Sequence, residues 1–133
     1  MSQENLDLLR RALEHVERTG EVLREAAQPD FVWDMTTFRG AVRPRTYVGV
    51  DETNEWLADW LASFENWSLD IEEVLDAGDQ VVTIVRQHGR AKHGGPDVEM
   101  RFAQVWTFRD GLAARIEMYA DRDEALEAAG LSE

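Results

Sequence analysis

The sequence predicts an α+β fold in which helices pack against an antiparallel sheet. Two segments in the first half of the chain have the apolar spacing of amphipathic helices. Four consecutive segments between residues 67 and 120 have the composition of strands, and turns or a polar loop separate them. Helices followed by a meander of strands are typical of an α+β protein with an antiparallel sheet. With 133 residues, the chain is expected to fold as a single domain over residues 1–133.

The first half of the chain predicts two long helices and one strand. The first helix is expected to end at Gly20, and its apolar stripe is formed by Leu6, Leu9, Leu13 and Val16. A short helical segment through residues 26–27 precedes a strand over residues 31–36, and an irregular arm follows over residues 39–49. The second helix, which Asp51 is expected to cap, has one wide apolar face formed by Trp56, Leu57, Trp60, Leu61 and Phe64.

The second half predicts four strands and a short final helix. The strands are expected over residues 67–72, 81–88, 98–108 and 112–120. Turn residues stand at positions 76–79 and at Asp110-Gly111, and a polar loop covers residues 89–97. Residues 121–124 have the pattern of a capping box, which predicts a helix that ends at Gly130.

The composition excludes several classes of partner and chemistry. The chain has 14 Lys and Arg against 27 Asp and Glu, a net charge of −13. Nucleic acids and anionic membranes attract clustered cations, so we expect neither as a partner. The absence of cysteine excludes disulfides, thiol nucleophiles and Cys-ligated metals. The three histidines, His15, His88 and His93, are scattered, so we expect no metal and no other cofactor.

The sequence also predicts a cytoplasmic protein. No apolar run approaches the roughly 18 residues that a membrane-spanning helix needs. Residues 1–5 contain no cationic region ahead of an apolar stretch, so a signal peptide is not expected.

The order of elements and several short motifs resemble the ketosteroid-isomerase-like superfamily, which includes the SnoaL-like and nuclear-transport-factor-2-like proteins. The likeness covers residues 4–130 and is greatest to small bacterial SnoaL-like proteins without an assigned activity. It is carried by Phe31-Val32-Trp33-Asp34, Tyr47-Val48-Gly49, Asp76-Ala77-Gly78-Asp79, Val105-Trp106-Thr107-Phe108-Arg109-Asp110-Gly111 and Tyr119-Ala120-Asp121. One such fold supports many chemistries, so the resemblance indicates the fold more specifically than the function.

The resemblance implies a cone: a strongly bent antiparallel sheet whose concave side is closed by helices over an apolar pocket. It also implies a homodimer formed through the outer face of the sheet, to which we assign the run Ala103, Val105 and Thr107. Five Trp, five Phe and two Tyr support a pocket, although any one of these side chains could simply fill the core. The candidate pocket residues on this basis are Trp56, Trp60, Phe64, Phe102 and Trp106.

Two polar residues are the candidate catalytic groups. The resemblance places an Asp that abstracts a proton next to a carbonyl at about Asp34, although strand alternation groups Asp34 with Val32 and Thr36 on the polar face. Gln104 interrupts an apolar strand face formed by Met100, Phe102, Trp106 and Phe108. Its amide must therefore bond a neighbour in the core or point at a ligand, where it could donate a hydrogen bond to an oxyanion.

Other candidate ligand contacts are less constrained. Arg86 and His88 share a face of their strand with Val82 and Ile84, and they lie either at an exposed rim or beside the ligand. Tyr47, on the arm, is either a pocket donor or part of the core. Counting along the last strand from Gly111 reaches Met118, where polyketide-cyclase members carry an Asp.

These features leave three hypotheses open. The first is a cofactor-free enzyme that acts by acid–base chemistry, of isomerase or cyclase type, on a small and mostly apolar carbonyl compound. The second is a module that binds such a molecule without reaction, and the third is a protein-interaction module with a closed cavity. The incomplete catalytic sets favour small-molecule binding, with acid–base activity as an added hypothesis.

Overall fold

The computed structural model describes residues 3–41 and 43–131. Its elements are α1 (Gln3–Thr19), a 3₁₀ turn (Arg24–Ala26), β1 (Ala27–Asp34), β2 (Thr46–Val48), α2 (Gly49–Leu61), β3 (Phe64–Asp76), β4 (Gln80–Ala91), β5 (Asp97–Arg109), β6 (Leu112–Tyr119) and α3 (Arg122–Ala128). The α+β class is confirmed.

The six strands form one open sheet in the order β2-β1-β6-β5-β4-β3. Every neighbouring pair is antiparallel except β1 and β6, which run parallel, so the sheet is mixed. Register shifts interrupt the pairing between β3 and β4 and between β5 and β6. Bulges of this kind bend a strand and increase its twist, which allows the sheet to curve around the helices.

The two faces of the sheet are covered by different helices. The inner face, which carries Phe102, Gln104 and Trp106, packs with Leu9 and Leu13 of α1 in the main core. The outer face carries a second cluster, in which Ala125 and Leu126 of α3 cover Val82, Ile84, Ala103 and Val105. Central strands are therefore apolar on both faces.

This outer cluster removes the sequence argument for a dimer. Ala103 and Val105 are fully buried within the single chain, because α3 folds over them. An apolar outer run therefore does not require a partner subunit. The homodimer remains a prediction that rests on the resemblance.

Several local signals act as expected. The left-handed conformation of Gly20, at φ +77°, follows the end of α1. The Asp121 carboxylate accepts the backbone N–H of Glu124 at 2.9 Å and caps α3. Within residues 3–41 and 43–131, no helix has the length and apolar composition needed to cross a membrane.

Two details of the arm differ from the sequence prediction. Residues Thr46–Val48 form a short strand, because Tyr47 pairs with Trp33 of β1 at the edge of the sheet. Helix α2 starts at Gly49, so Asp51 lies inside its first turn rather than at the cap. Glu52 instead accepts the backbone N–H of Val48 at 3.1 Å.

Candidate functional site: a tryptophan-lined cavity

A cavity of about 650 Å³ lies between the inner face of the sheet and helices α1 and α2. Its wall is mostly apolar, and it includes every tryptophan of the chain: Trp33, Trp56, Trp60, Trp67 and Trp106. Cavities of this size, with apolar walls and few polar groups, are typical of small-molecule sites.

Three of the tryptophans form a continuous aromatic wall. Trp56 and Trp60 are one helical turn apart on α2, and their rings are nearly parallel with centroids 6.1 Å apart. Trp33 of β1 lies against Trp56 at 5.4 Å. The helix spacing and the strand pairing together place these indoles along one side of the cavity, with the Trp33 ring tilted by 38° to that of Trp56.

Gln104 lies on the inner face among these apolar side chains, with only 2% of its surface exposed. Its Oε1 accepts the hydroxyl of Thr83 at 2.9 Å and the indole N–H of Trp106 at 3.0 Å. Its Nε2 lies 3.6 Å from the sulfur of Met118, a weak acceptor. The same amide therefore bonds neighbours through its oxygen and lines the cavity.

Gln87 is a second buried amide, and it was not among the site residues predicted from the sequence. Its Oε1 accepts the indole N–H groups of Trp60, at 3.0 Å, and Trp67, at 2.8 Å. The detectable signal is alternation: Val81, Thr83, Val85 and Gln87 share one face of β4. Gln87 also pairs with Met100 in the strand register, which places it on the same face as Gln104.

Asp34, the candidate base, is not among the residues that line the cavity. Its carboxylate accepts the backbone N–H of Thr36 at 2.8 Å, the Thr36 hydroxyl and an N–H of Arg115. Burial raises the pKa of Asp34, but the Thr36 hydrogen bonds and the charge of Arg115 outweigh burial and hold that pKa below its ordinary value. Adjacent β1 residues point to opposite faces, and Trp33 is the one that lines the cavity.

Arg86 and His88 also lie outside the cavity lining. Arg86 pairs with Asp70 at 2.8 Å and with Glu99 at 3.7 Å, and the exposed His88 contacts the Ser68 hydroxyl at 3.0 Å. His88 is exposed, whereas Arg86 is half-buried and its Nε is buried without a hydrogen-bond partner among the described residues. Their neighbours Val82 and Ile84 are buried under α3, not in the cavity.

Tyr47 and Phe64 support the aromatic wall from behind. The Tyr47 ring lies 6.2 Å from Trp56, and the Phe64 ring lies 5.5 Å from Trp60. Neither residue reaches the cavity surface. Trp56, Trp60, Phe102, Gln104, Trp106 and Met118 are the sequence candidates that the structure brings together there.

The charged groups of the wall are few and exposed. Among the described lining residues, only Arg43 and Asp59 carry a charge, and both are exposed to solvent. Across residues 3–41 and 43–131, no group of three His, Cys, Asp or Glu side chains is arranged to hold a metal ion. The buried part of the described wall therefore offers neutral hydrogen bonds and aromatic surface.

Comparison with protein families identifies this fold. The family model of the SnoaL-like domain matches residues 9–116. Comparison with curated proteins gives no match.

Solved structures share the fold at low sequence identity. TerC, crystallised with polyporic acid, is 23% identical with a TM-score of 0.72, over 90% of this chain and 92% of TerC. A protein described as a SnoaL-like polyketide cyclase from Jannaschia sp. CCS1 is 19% identical with a TM-score of 0.72, over 100% of this chain and 97% of that one. A protein with a ketosteroid-isomerase-like fold from Catenulispora acidiphila, in complex with trimethylamine, is 20% identical with a TM-score of 0.69. The similarity covers 98% of this chain and 95% of that one. At these identities the similarity shows the fold alone.

Proposed function

The chain belongs to the SnoaL-like domain family, and from this premise we propose that it binds a small, mostly apolar molecule in the tryptophan-lined cavity. The observation that carries the proposal is the indole wall beside about 650 Å³ of open space. Flat aromatic surfaces bind planar apolar molecules through dispersion and the removal of water from both partners.

The open cavity favours ligand binding over the interaction module with a closed cavity. In that alternative, Trp56, Trp60 and Trp106 would pack against one another and fill the interior. All three instead line the same open space. The similar structures described with polyporic acid and with trimethylamine agree with a fold that accommodates small molecules.

Binding is tested directly by titration with fluorene, a planar hydrocarbon without hydrogen-bonding groups. We expect fluorene to quench the intrinsic tryptophan fluorescence, because all five indoles line the cavity. Ala113→Phe and Ile116→Phe place extra bulk at two buried positions of the wall and should weaken binding at least tenfold. Val48→Phe adds the same ring at an exposed site, 53% accessible and outside the lining, and serves as the control. Unchanged fluorene binding in both wall variants, with folding intact, contradicts the cavity as the site.

Acid–base chemistry on a carbonyl compound is the second candidate function. Its support is the buried Gln104 amide, which can donate to a carbonyl oxygen in an apolar site, and the description of one similar structure as a polyketide cyclase. Such a reaction needs a base beside the ligand, and Asp59 is the carboxylate of the described lining. If the protein is this kind of enzyme, it should accelerate deuterium exchange at the α-carbon of tetralone, and Asp59→Asn should abolish the acceleration. Exchange at the buffer rate with the wild-type protein excludes this activity for tetralone.

A further inference from the structure

We propose that the cavity selects planar apolar molecules that carry a hydrogen-bond acceptor, such as a carbonyl oxygen, and no donor. The inference rests on the proposed function and names the chemical class of the ligand. Its basis is the orientation of two buried glutamines, which present N–H groups because indole N–H groups already occupy their oxygens.

The orientation of Gln87 is fixed by two tryptophans. An indole N–H can only donate, so the atom that faces it must be an acceptor. Trp60 and Trp67 both direct their Nε1 at one end of the Gln87 amide, at 3.0 and 2.8 Å. That end is therefore the oxygen. In the reverse orientation the amide NH₂ group would face the indole N–H groups of both tryptophans, with no acceptor among the three. In the described parts of the chain the Nε2 of Gln87 makes no hydrogen bond, and it is the group left for a ligand.

Gln104 is fixed in the same sense by one tryptophan. The Nε1 of Trp106 lies 3.0 Å from the Gln104 oxygen and 3.2 Å from the Thr83 hydroxyl oxygen, and the Thr83 hydroxyl donates to the Gln104 oxygen. The Nε2 group faces only the sulfur of Met118, at 3.6 Å. Because thioether sulfur is a weak acceptor, a carbonyl oxygen placed there forms the stronger bond.

Acceptors are scarce in the rest of the wall. The buried Nε1 of Trp33, a third indole donor, has no hydrogen-bond partner in the part of the chain that the structure describes. Among the described lining residues, the side chains that carry free acceptor oxygens are Asp59 and Ser63, and both are exposed to solvent. A ligand donor buried in this cavity would thus remain unpaired, which is unfavourable in an apolar site.

The two amides lie at different places along the sheet. Gln104 pairs with Thr83, and Gln87 lies four residues further along β4, about 13 Å away at the usual rise per strand residue. A ligand whose acceptor lies near Gln104 or near Gln87 can therefore accept a hydrogen bond from that amide. Both glutamines are at least nine-tenths buried, so these hydrogen bonds form out of water.

The test compares three planar tricyclic molecules of nearly the same size: fluorenone, which only accepts; fluorene, which does neither; and carbazole, which only donates. Their dissociation constants are measured by equilibrium dialysis against the full chain. We expect fluorenone to bind about five- to tenfold more tightly than fluorene, as one buried hydrogen bond provides. Carbazole should bind more weakly than fluorene, because its N–H has no partner.

The Trp106→Phe variant tests the locking of the amide. Without the indole N–H, the Gln104 amide can turn its oxygen toward the cavity, because the Thr83 hydroxyl can either donate or accept. The ratio of carbazole to fluorenone affinity should then rise several-fold. Trp56→Phe is the matched control, since Trp56 also lines the cavity but, among the described residues, no glutamine oxygen accepts its indole N–H. The ratio of carbazole to fluorenone affinity should stay unchanged in this control.

The outcomes separate this inference from the proposed function. Equal affinity for all three molecules, or a preference for carbazole, overturns the selection of acceptors while leaving the cavity as a binding site. If the ratio of carbazole to fluorenone affinity changes equally in Trp106→Phe and Trp56→Phe, Trp106 does not fix the orientation of the Gln104 amide. Failure of all three molecules to bind contradicts the proposed function itself, and the inference with it.

Discussion

The indole Nε1 of Trp106 lies 3.0 Å from Oε1 of Gln104, two positions earlier on the same strand. Residues two apart on a strand share a face, so the polar residue of this face is bonded by the aromatic residue beside it. The sequence left two roles open for Gln104, bonding a core neighbour or pointing at a ligand. The two ends of the amide allow both roles, because the oxygen bonds Thr83 and Trp106 while the Nε2 group faces only the weak acceptor Met118.

Gln104→Leu should lower the free energy of unfolding by about 1–3 kcal/mol, because the buried Thr83 hydroxyl loses its acceptor and the Trp106 N–H keeps only its contact with the Thr83 oxygen, at 3.2 Å. Urea denaturation followed by circular dichroism measures the change. Gln80→Leu removes the half-buried bond to the Thr107 hydroxyl and should have a smaller effect, below about 1 kcal/mol. Equal losses in the two variants contradict the special role of burial at Gln104.

Asp34 should contribute to stability in a pH-dependent manner. Its native pKa lies below the ordinary value, so its contribution is complete above about pH 4 and disappears as the pH falls through the native pKa. Asp34→Asn should therefore destabilise the protein at pH 7 and reduce the loss of melting temperature on acidification. Asp70→Asn, at a more exposed ion pair with Arg86, is the control and should change little.

The same Asp34→Asn variant should bind fluorene as the wild-type protein does. Its carboxylate is held by Thr36 and Arg115 and lies outside the cavity lining. Equilibrium dialysis at pH 7 provides the comparison. A large loss of affinity in a folded Asp34→Asn variant restores the hypothesis that this residue acts at the ligand.

Leu126→Ala should separate stability from binding. Leu126 of α3 is buried on the outer face against Val105 and Ala103, so the cavity left by truncation should cost about 2–4 kcal/mol. Fluorene affinity should be retained, because the sheet separates this cluster from the ligand cavity. Leu13→Ala, on the cavity wall, should reduce both stability and affinity. Equal losses of fluorene affinity in the two variants contradict the division of the core into two clusters.

Tyr119 should remain protonated to unusually high pH. Burial, with the nearby charge of Glu117, raises the pKa of Tyr119 to about 12. The neutral phenol is favoured in the folded state, so its contribution to stability is complete below about pH 10 and is lost as the pH rises toward that native value. Tyr119→Phe should weaken this alkaline loss of stability, as thermal melts between these pH values measure. The phenolate absorbance that is lost in Tyr119→Phe should appear in the wild-type protein only well above pH 10.

The homodimer implied by the resemblance is tested by light scattering. The apolar residues Ala103 and Val105 that suggested an interface are covered by α3 of the same chain. We retain the prediction of a dimer through the remaining outer face. A monomeric mass at micromolar concentration contradicts it.

Local signals in the sequence determined most of the secondary structure. The capping box at Asp121 and the glycine after α1 act within one or two turns, so they do not depend on the rest of the fold. Alternation on β5 also placed Phe102, Gln104 and Trp106 on one face, because side chains on a strand repeat every two residues.

The tertiary structure alone decided which face of β4 lies on the cavity side of the sheet. Both faces are apolar over the first part of this strand, since Val81 and Val85 face the cavity side while Val82 and Ile84 are covered by α3. Alternation cannot distinguish the two faces of a strand that is buried on both. The sequence therefore indicated Arg86 as a candidate ligand contact and gave no comparable indication for Gln87.

The position of Asp34 depended on the tertiary structure for a similar reason. Its partner Arg115 lies 81 residues later in the sequence, on the strand that runs parallel to β1. Local sequence determined that β1 alternates; the distant Arg115 and the covering helices decided which side of it became the cavity. The sequence by itself thus determined the elements and the periodicity of their faces, whereas long-range packing decided which polar groups surround the candidate ligand.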